Sequence, residues 1–169
     1  MDMCAVRLQD AWARFCAEVV VLSALKKPIT RNGQRLPRSS SVKSEEDVKR
    51  VVWAMSFPKR PMPPTWEPGW HRPQIVLDLA LKLQLVNYAQ IQAGVSLMRS
   101  PLEDLRQVRN FLVHRGRNTG LTVRTLSAKQ GLALSGRARD IMAQRVVPGV
   151  SVFERWVSDL RSMADVATQ

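Results

Sequence analysis

Cysteine, histidine and tyrosine are scarce in this chain of 169 residues, at two, two and one copies. His71, His114, Cys4 and Cys16 form neither a His-Glu-x-x-His nor a Cys-x-x-Cys spacing, so no metal centre is expected. On one helix, the twelve positions from Cys4 to Cys16 span about 18 Å, beyond disulfide reach, and both should be free thiols. Gly-x-x-x-x-Gly-Lys, Gly-x-Gly-x-x-Gly and Gly-x-Ser-x-Gly patterns are also missing. Nucleotide-dependent phosphoryl transfer, hydride transfer and serine hydrolysis therefore have no visible site, and no cofactor is expected. No apolar run approaches the roughly 18 residues of a membrane span. Asp2, Arg7, Asp10, Arg14 and Glu18 interrupt the start of the chain where a signal peptide needs an apolar stretch. A cytoplasmic, reducing location is the expectation.

Acidic residues are few as well: 14 Asp plus Glu against 26 Lys plus Arg leave a net charge of +12, with a pI near 11.0. That balance favours polyanionic partners, without separating RNA, DNA and acidic lipid. What is abundant is ordinary: 45% apolar and 24% charged residues, enough for one folded domain over 1–169.

The apolar spacing reads as helices. Leu8, Trp12, Phe15, Val19 and Leu22 predict a long N-terminal helix. A basic loop over about 26–43 follows, with Asn32-Gly33, Pro37 and three consecutive serines. Ser44 with Glu45, Glu46 and Asp47 caps a short helix ending near Met55. Six prolines then make 57–73 an irregular loop, pinned to the core by Trp66 and Trp70, with His71 packing at its end. Pro73 opens a helix carrying Ile75, Val76, Leu79, Leu83 and Val86, and another spans Asn87 to Arg99. Ser100-Pro101-Leu102-Glu103 reads as N-cap, first-turn proline and capping-box glutamate. Thr119–Lys129 reads as a weaker helix, Gly131–Gly149 as mostly loop, and Val152–Val166 as a last helix with Phe153, Trp156, Val157 and Leu160 inward. No strand alternation stands out. The fold class is all-α, a bundle of about five to seven helices with a long basic loop and a Pro-rich loop.

The helix after Ser100 carries the anomaly. Leu102, Leu105, Val108, Leu112 and Val113 form an apolar arc, while Arg106, Asn110 and His114 line a polar face. Arg109 falls inside the apolar arc, at roughly 340° with Leu102 at zero. A guanidinium there needs a carboxylate, carbonyls or a second protein surface, unless its stem snorkels off the apolar edge.

Arg109-Asn110-Phe111-Leu112-Val113-His114, with Gly116 just beyond and a closing tryptophan helix around Trp156, resembles the ribonuclease-type HEPN domains (the RiboL-PSP-HEPN branch). The resemblance implies a metal-independent endoribonuclease acting as a homodimer, with motifs from two chains meeting in one cleft. It implies catalytic roles for Arg109, Asn110 and His114, toxin–antitoxin or host-defence service, and an antitoxin or regulatory protein as a further partner. Such toxins commonly carry a tyrosine two positions beyond the histidine, where this chain has Gly116.

The chemistry fits these residue types. Metal-free RNA cleavage needs proton transfer at the 2′-hydroxyl and the leaving 5′-oxygen, and stabilisation of charge on phosphate. An imidazole titrates near working pH, and a guanidinium holds two phosphate oxygens. Asn110, four residues before His114, orients the ring or binds phosphate. Arg106, Arg115 and Arg117 supply RNA-backbone contacts. Arg109 and His114 lie about 140° apart on an ideal wheel, leaving open which chain supplies each. The competing reading is a non-catalytic basic helical module that binds nucleic acid or a partner protein.

Overall fold

A computed structural model describes residues 2–25, 42–97, 99–132 and 137–169. The greater part of the expected basic loop, 26–41, lies outside the described residues. Eight helices and one two-stranded sheet are present among them: α1 Asp2–Leu25, α2 Glu45–Ser56, α3 Pro73–Lys82, α4 Tyr88–Ser96, α5 Arg99–His114, α6 Arg117–Lys129, α7 Ala138–Ala143, β1 Arg145–Val147, β2 Val150–Ser151 and α8 Val152–Ala167. The all-α class holds. The count exceeds the expected five to seven helices because α7 lies in the stretch expected to be mostly loop, which also holds the β1–β2 hairpin. Both are too short to show a period. The hairpin is closed by Pro148-Gly149, with Gly149 at φ +88°, a conformation that suits glycine.

The chain divides into two compact units: Met1–Ala11 with Met98–Ser162, and Trp12–Leu97 with Met163–Gln169. In the first, α5 packs on α6 and both meet α7. Its core takes Leu105 and Val108 from α5, Val123 and Leu126 from α6, Ile141 and Met142 from α7, and Trp156 and Leu160 from α8.

In the second unit α3 packs against α4 and α2 against α3. Ser44 and Asp47 exchange the reciprocal bonds of a capping box at the start of α2: Asp47 N–H donates to Ser44 Oγ (3.1 Å) and Ser44 N–H to Asp47 Oδ2 (3.1 Å). Pro73 occupies the first turn of α3, as its fixed φ favours. Trp70 is buried, and Trp66 sets its ring edge against Trp53, so both tryptophans anchor the proline segment. His71 is half-buried in the turn before α3.

Three amphipathic faces differ from their expected registers. On α1 the buried positions are Ala5, Gln9, Trp12, Cys16, Val20, Ser23 and Ala24, while Leu22 is exposed. Small side chains there permit close approach, which a search for large apolar residues overlooks. Val86 is exposed because α3 stops at Lys82 and Gln84 turns the chain at φ +51°. Val113, expected in the arc of α5, is 47% exposed in the helix's last turn.

Candidate functional site

The residues of the Arg-x4-His motif lie on the last two turns of α5. Leu102, Leu105 and Val108 bury one face of this helix in the first unit, which fixes its rotation. The expected capping arrangement at Ser100 is replaced: the helix already begins at Arg99, and the Ser100 hydroxyl accepts from Lys129 Nζ (3.1 Å). Glu103 turns sideways along the helix, accepting from Arg106 at 2.6 and 2.8 Å and from Gln107 at 3.1 Å. The guanidinium beside it holds the Glu103 carboxyl below its ordinary range.

Arg109 behaves as its wheel position demands. Its side chain is half-buried, and Nε has no solvent contact and no hydrogen-bond partner among the described residues. A buried guanidinium nitrogen without an acceptor costs free energy. Asn110 is half-buried on the next position.

His114 ends α5 exposed. Arg115 follows at φ +26°, an unfavourable conformation for a side-chain-bearing residue, while its N–H still donates to Phe111 O (2.9 Å). Gly116 then starts α6: its N–H donates to Thr119 Oγ1 (3.0 Å), whose hydroxyl donates back to Gly116 O (2.9 Å). This tight link of two residues presents His114, Arg115 and Arg117 together at one end of the α5–α6 pair, all exposed. Neither Arg115 nor Arg117 has an ion pair among the described residues.

The chain thus gathers His114, Arg115 and Arg117 on an accessible basic end, with Arg109 inward and Arg106 engaged by Glu103. Five positions of helix separate Arg109 from His114, about 7.5 Å along the axis.

A polar cluster that the sequence did not signal sits toward the other end of α5. Asp104 is buried, with Lys129 Nζ at 3.1 Å and Gln130 Nε2 at 3.5 Å. Asp104 lies on the wheel opposite Leu102, so no hydrophobic period foretells its burial; its partners Lys129 and Gln130 come from the C-terminal end of α6. A capping box of Ser151 and Glu154 at the start of α8 was legible from its Ser-x-x-Glu spacing and was not anticipated.

Among the described residues no group of three or more His, Cys, Asp or Glu side chains is placed to hold a metal ion, and no helix is long and apolar enough to cross a membrane. The chain matches no known family model, no curated protein and no solved structure.

Proposed function

We propose that this chain is a metal-independent endoribonuclease of HEPN type, with Arg109, Asn110 and His114 as its catalytic residues. The observation that carries the reading is Arg109: a guanidinium on the apolar side of α5, its Nε buried and without an acceptor among the described residues, five residues before an exposed histidine. A cation placed at such cost calls for an anionic partner. The exposed Arg115 and Arg117 beside His114 supply charge for tracking a phosphate backbone.

In the proposed reaction the ribose 2′-oxygen attacks the adjacent phosphorus as its proton departs, and the bond to the 5′-oxygen breaks as that oxygen gains a proton. The products are a 2′,3′-cyclic phosphate and a 5′-hydroxyl, with no net change in protons. His114 carries the proton transfer, Arg109 holds the phosphate oxygens, and Asn110 orients the imidazole or the phosphate. A homodimer brings motifs from two chains into one cleft and gives Arg109 a second surface to face. Service as a toxin or defence effector under an antitoxin or regulatory protein completes the reading.

Cleavage of a mixed RNA pool in EDTA tests it. The wild type should cut, whereas Arg109→Ala and His114→Ala, folded and still binding RNA, should lose activity by about 100-fold or more. Cut ends carrying 5′-phosphate contradict the chemistry, and a monomer in light scattering at micromolar concentration contradicts the shared cleft. If none of the three proteins cuts yet all bind, the chain is a binding module, the reading that the exposed His114-Arg115-Gly116-Arg117 end also supports.

A further inference from the structure

Within the first unit, a cavity of about 290 Å³ opens between the N-terminal turn of α5, the C-terminal end of α6, β1 and α8. It lies away from His114: Asp104 on its wall precedes the histidine by ten helical positions, about 15 Å along the axis. Its charges are layered. Two carboxylates, Asp104 and Asp159, are buried, with side chains 8% and 12% exposed. Two cations, Lys129 and Arg155, stand at the rim with side chains 54% and 62% exposed.

The two carboxylates are not equivalent. Asp104 is satisfied by Lys129 and Gln130. Asp159 Oδ2 is buried with no hydrogen-bond donor among the described residues, and the Arg155 Nε lies 3.9 Å away, too far to donate. Burial pushes the Asp159 carboxyl above its ordinary range. Such an acceptor is costly unless a donor arrives from outside.

A ligand that suits this cavity carries hydrogen-bond donors at its inner end and negative charge at its outer end. A bare metal cation offers no hydrogen-bond donor and is repelled by the rim and by a chain of net charge +12. A nucleotide meets both conditions. Among the four bases only guanine offers two adjacent donors, N1–H and the N2 amino group, to an acceptor-only carboxylate. Adenine and cytosine set an acceptor beside their amino group, and uracil flanks its single N–H with two carbonyls. At about 290 Å³ the cavity lies near the lower end of small-ligand sites, which run from about 300 to 1,000 Å³.

From this arrangement we infer that the cavity binds a guanine nucleotide, free or within single-stranded RNA, with Asp159 accepting from the base edge and Lys129 and Arg155 meeting the phosphate. The inference deepens the proposed function and rests on its reading of the chain as an RNA binder.

Calorimetric titration of the full chain with GMP, IMP and AMP tests it, since IMP differs from GMP only by the N2 amino group. GMP should bind at least tenfold more tightly than IMP or AMP. Asp159→Asn, which keeps the side chain's size, should erase that preference, and Arg155→Ala should weaken GMP but not guanosine. Equal affinity for GMP and IMP in the wild type overturns the inference without recourse to any variant, as does a GMP preference that survives in Asp159→Asn. A hexanucleotide of uridines with one guanosine, run beside GMP, separates the two sources. Preference for it over hexauridylate places the guanine within RNA; preference confined to GMP makes the ligand a free nucleotide. Guanine-selective binding without cleavage leaves the cavity standing and removes the ribonuclease reading. Cleavage with no guanine preference in binding does the reverse.

Discussion

Arg106 closes a two-pronged ion pair on Glu103, with Nη2 2.6 Å from Oε1 and Nε 2.8 Å from Oε2. The pair joins residues one turn apart on α5 and uses the Nε–Nη2 donor edge of the guanidinium that a phosphate would otherwise occupy. Arg106 was expected among the RNA-binding residues; its geometry sets it apart from Arg115 and Arg117.

Single alanine substitutions should therefore differ. Arg115→Ala and Arg117→Ala should each weaken RNA binding and lower the slope of log affinity against log salt by about 0.7 to 1. Arg106→Ala should leave that slope nearly unchanged. Equal slope losses for all three, measured by fluorescence anisotropy across a salt series, would show that RNA displaces Glu103.

Gly94 of α4 allows no side chain. A Cβ there would lie 2.6 Å from the Ala167 Cβ and from the Met163 carbonyl oxygen, and 2.7 Å from the Ala167 nitrogen. Two of those atoms are backbone and cannot swing aside. Gly94→Ala should lower stability by about 1 to 3 kcal/mol, although alanine is otherwise the better helix former. Urea unfolding measures it, and a neutral or stabilised variant would contradict this packing.

The two thiols of α1 should react very differently. Cys4 is exposed, whereas Cys16 is buried and burial pushes its thiol well above the ordinary range. A thiol reagent at neutral pH should modify one cysteine in the native protein and two in denaturant. Rapid modification of both in the native protein would refute the burial of this face of α1.

Acid should destabilise the fold through its helix caps. The Asp47 carboxyl is held below its ordinary 3.8 by the Lys43 amide and the Ser44 hydroxyl, and the Glu154 carboxyl below its ordinary 4.5 by the Ser151 amide and hydroxyl. A carboxyl lowered on folding contributes stability above its unfolded pKa and loses it as pH falls through its folded one. Asp159 runs the other way: its raised carboxyl makes the fold less stable as pH climbs from the ordinary 3.8 through the higher folded value. Ser44→Ala and Ser151→Ala should thus flatten the dependence of stability on pH between about 3 and 5, and Asp159→Asn should steepen it. Denaturant melts at several pH values read all three.

The sequence alone determined the helical class, the starts of α2 and α3 and the oddity of Arg109. These are local properties: a period of 3.6, a serine three residues before an acid, a proline that suits only a first turn, a charge inside an apolar arc. The capping box at Ser44 and the helix opening at Pro73 follow from such signals. Tertiary structure decided what depended on partners distant in the chain. It turned Ala5, Gln9, Cys16 and Ala24 of α1 inward beside Trp12, left Val113 exposed, and buried Asp104 against Lys129 across 25 positions of sequence. It also left Asp159 Oδ2 without a donor among the described residues. No period or motif encodes these, because burial and hydrogen-bond satisfaction belong to the packed surfaces of several elements and not to any one of them.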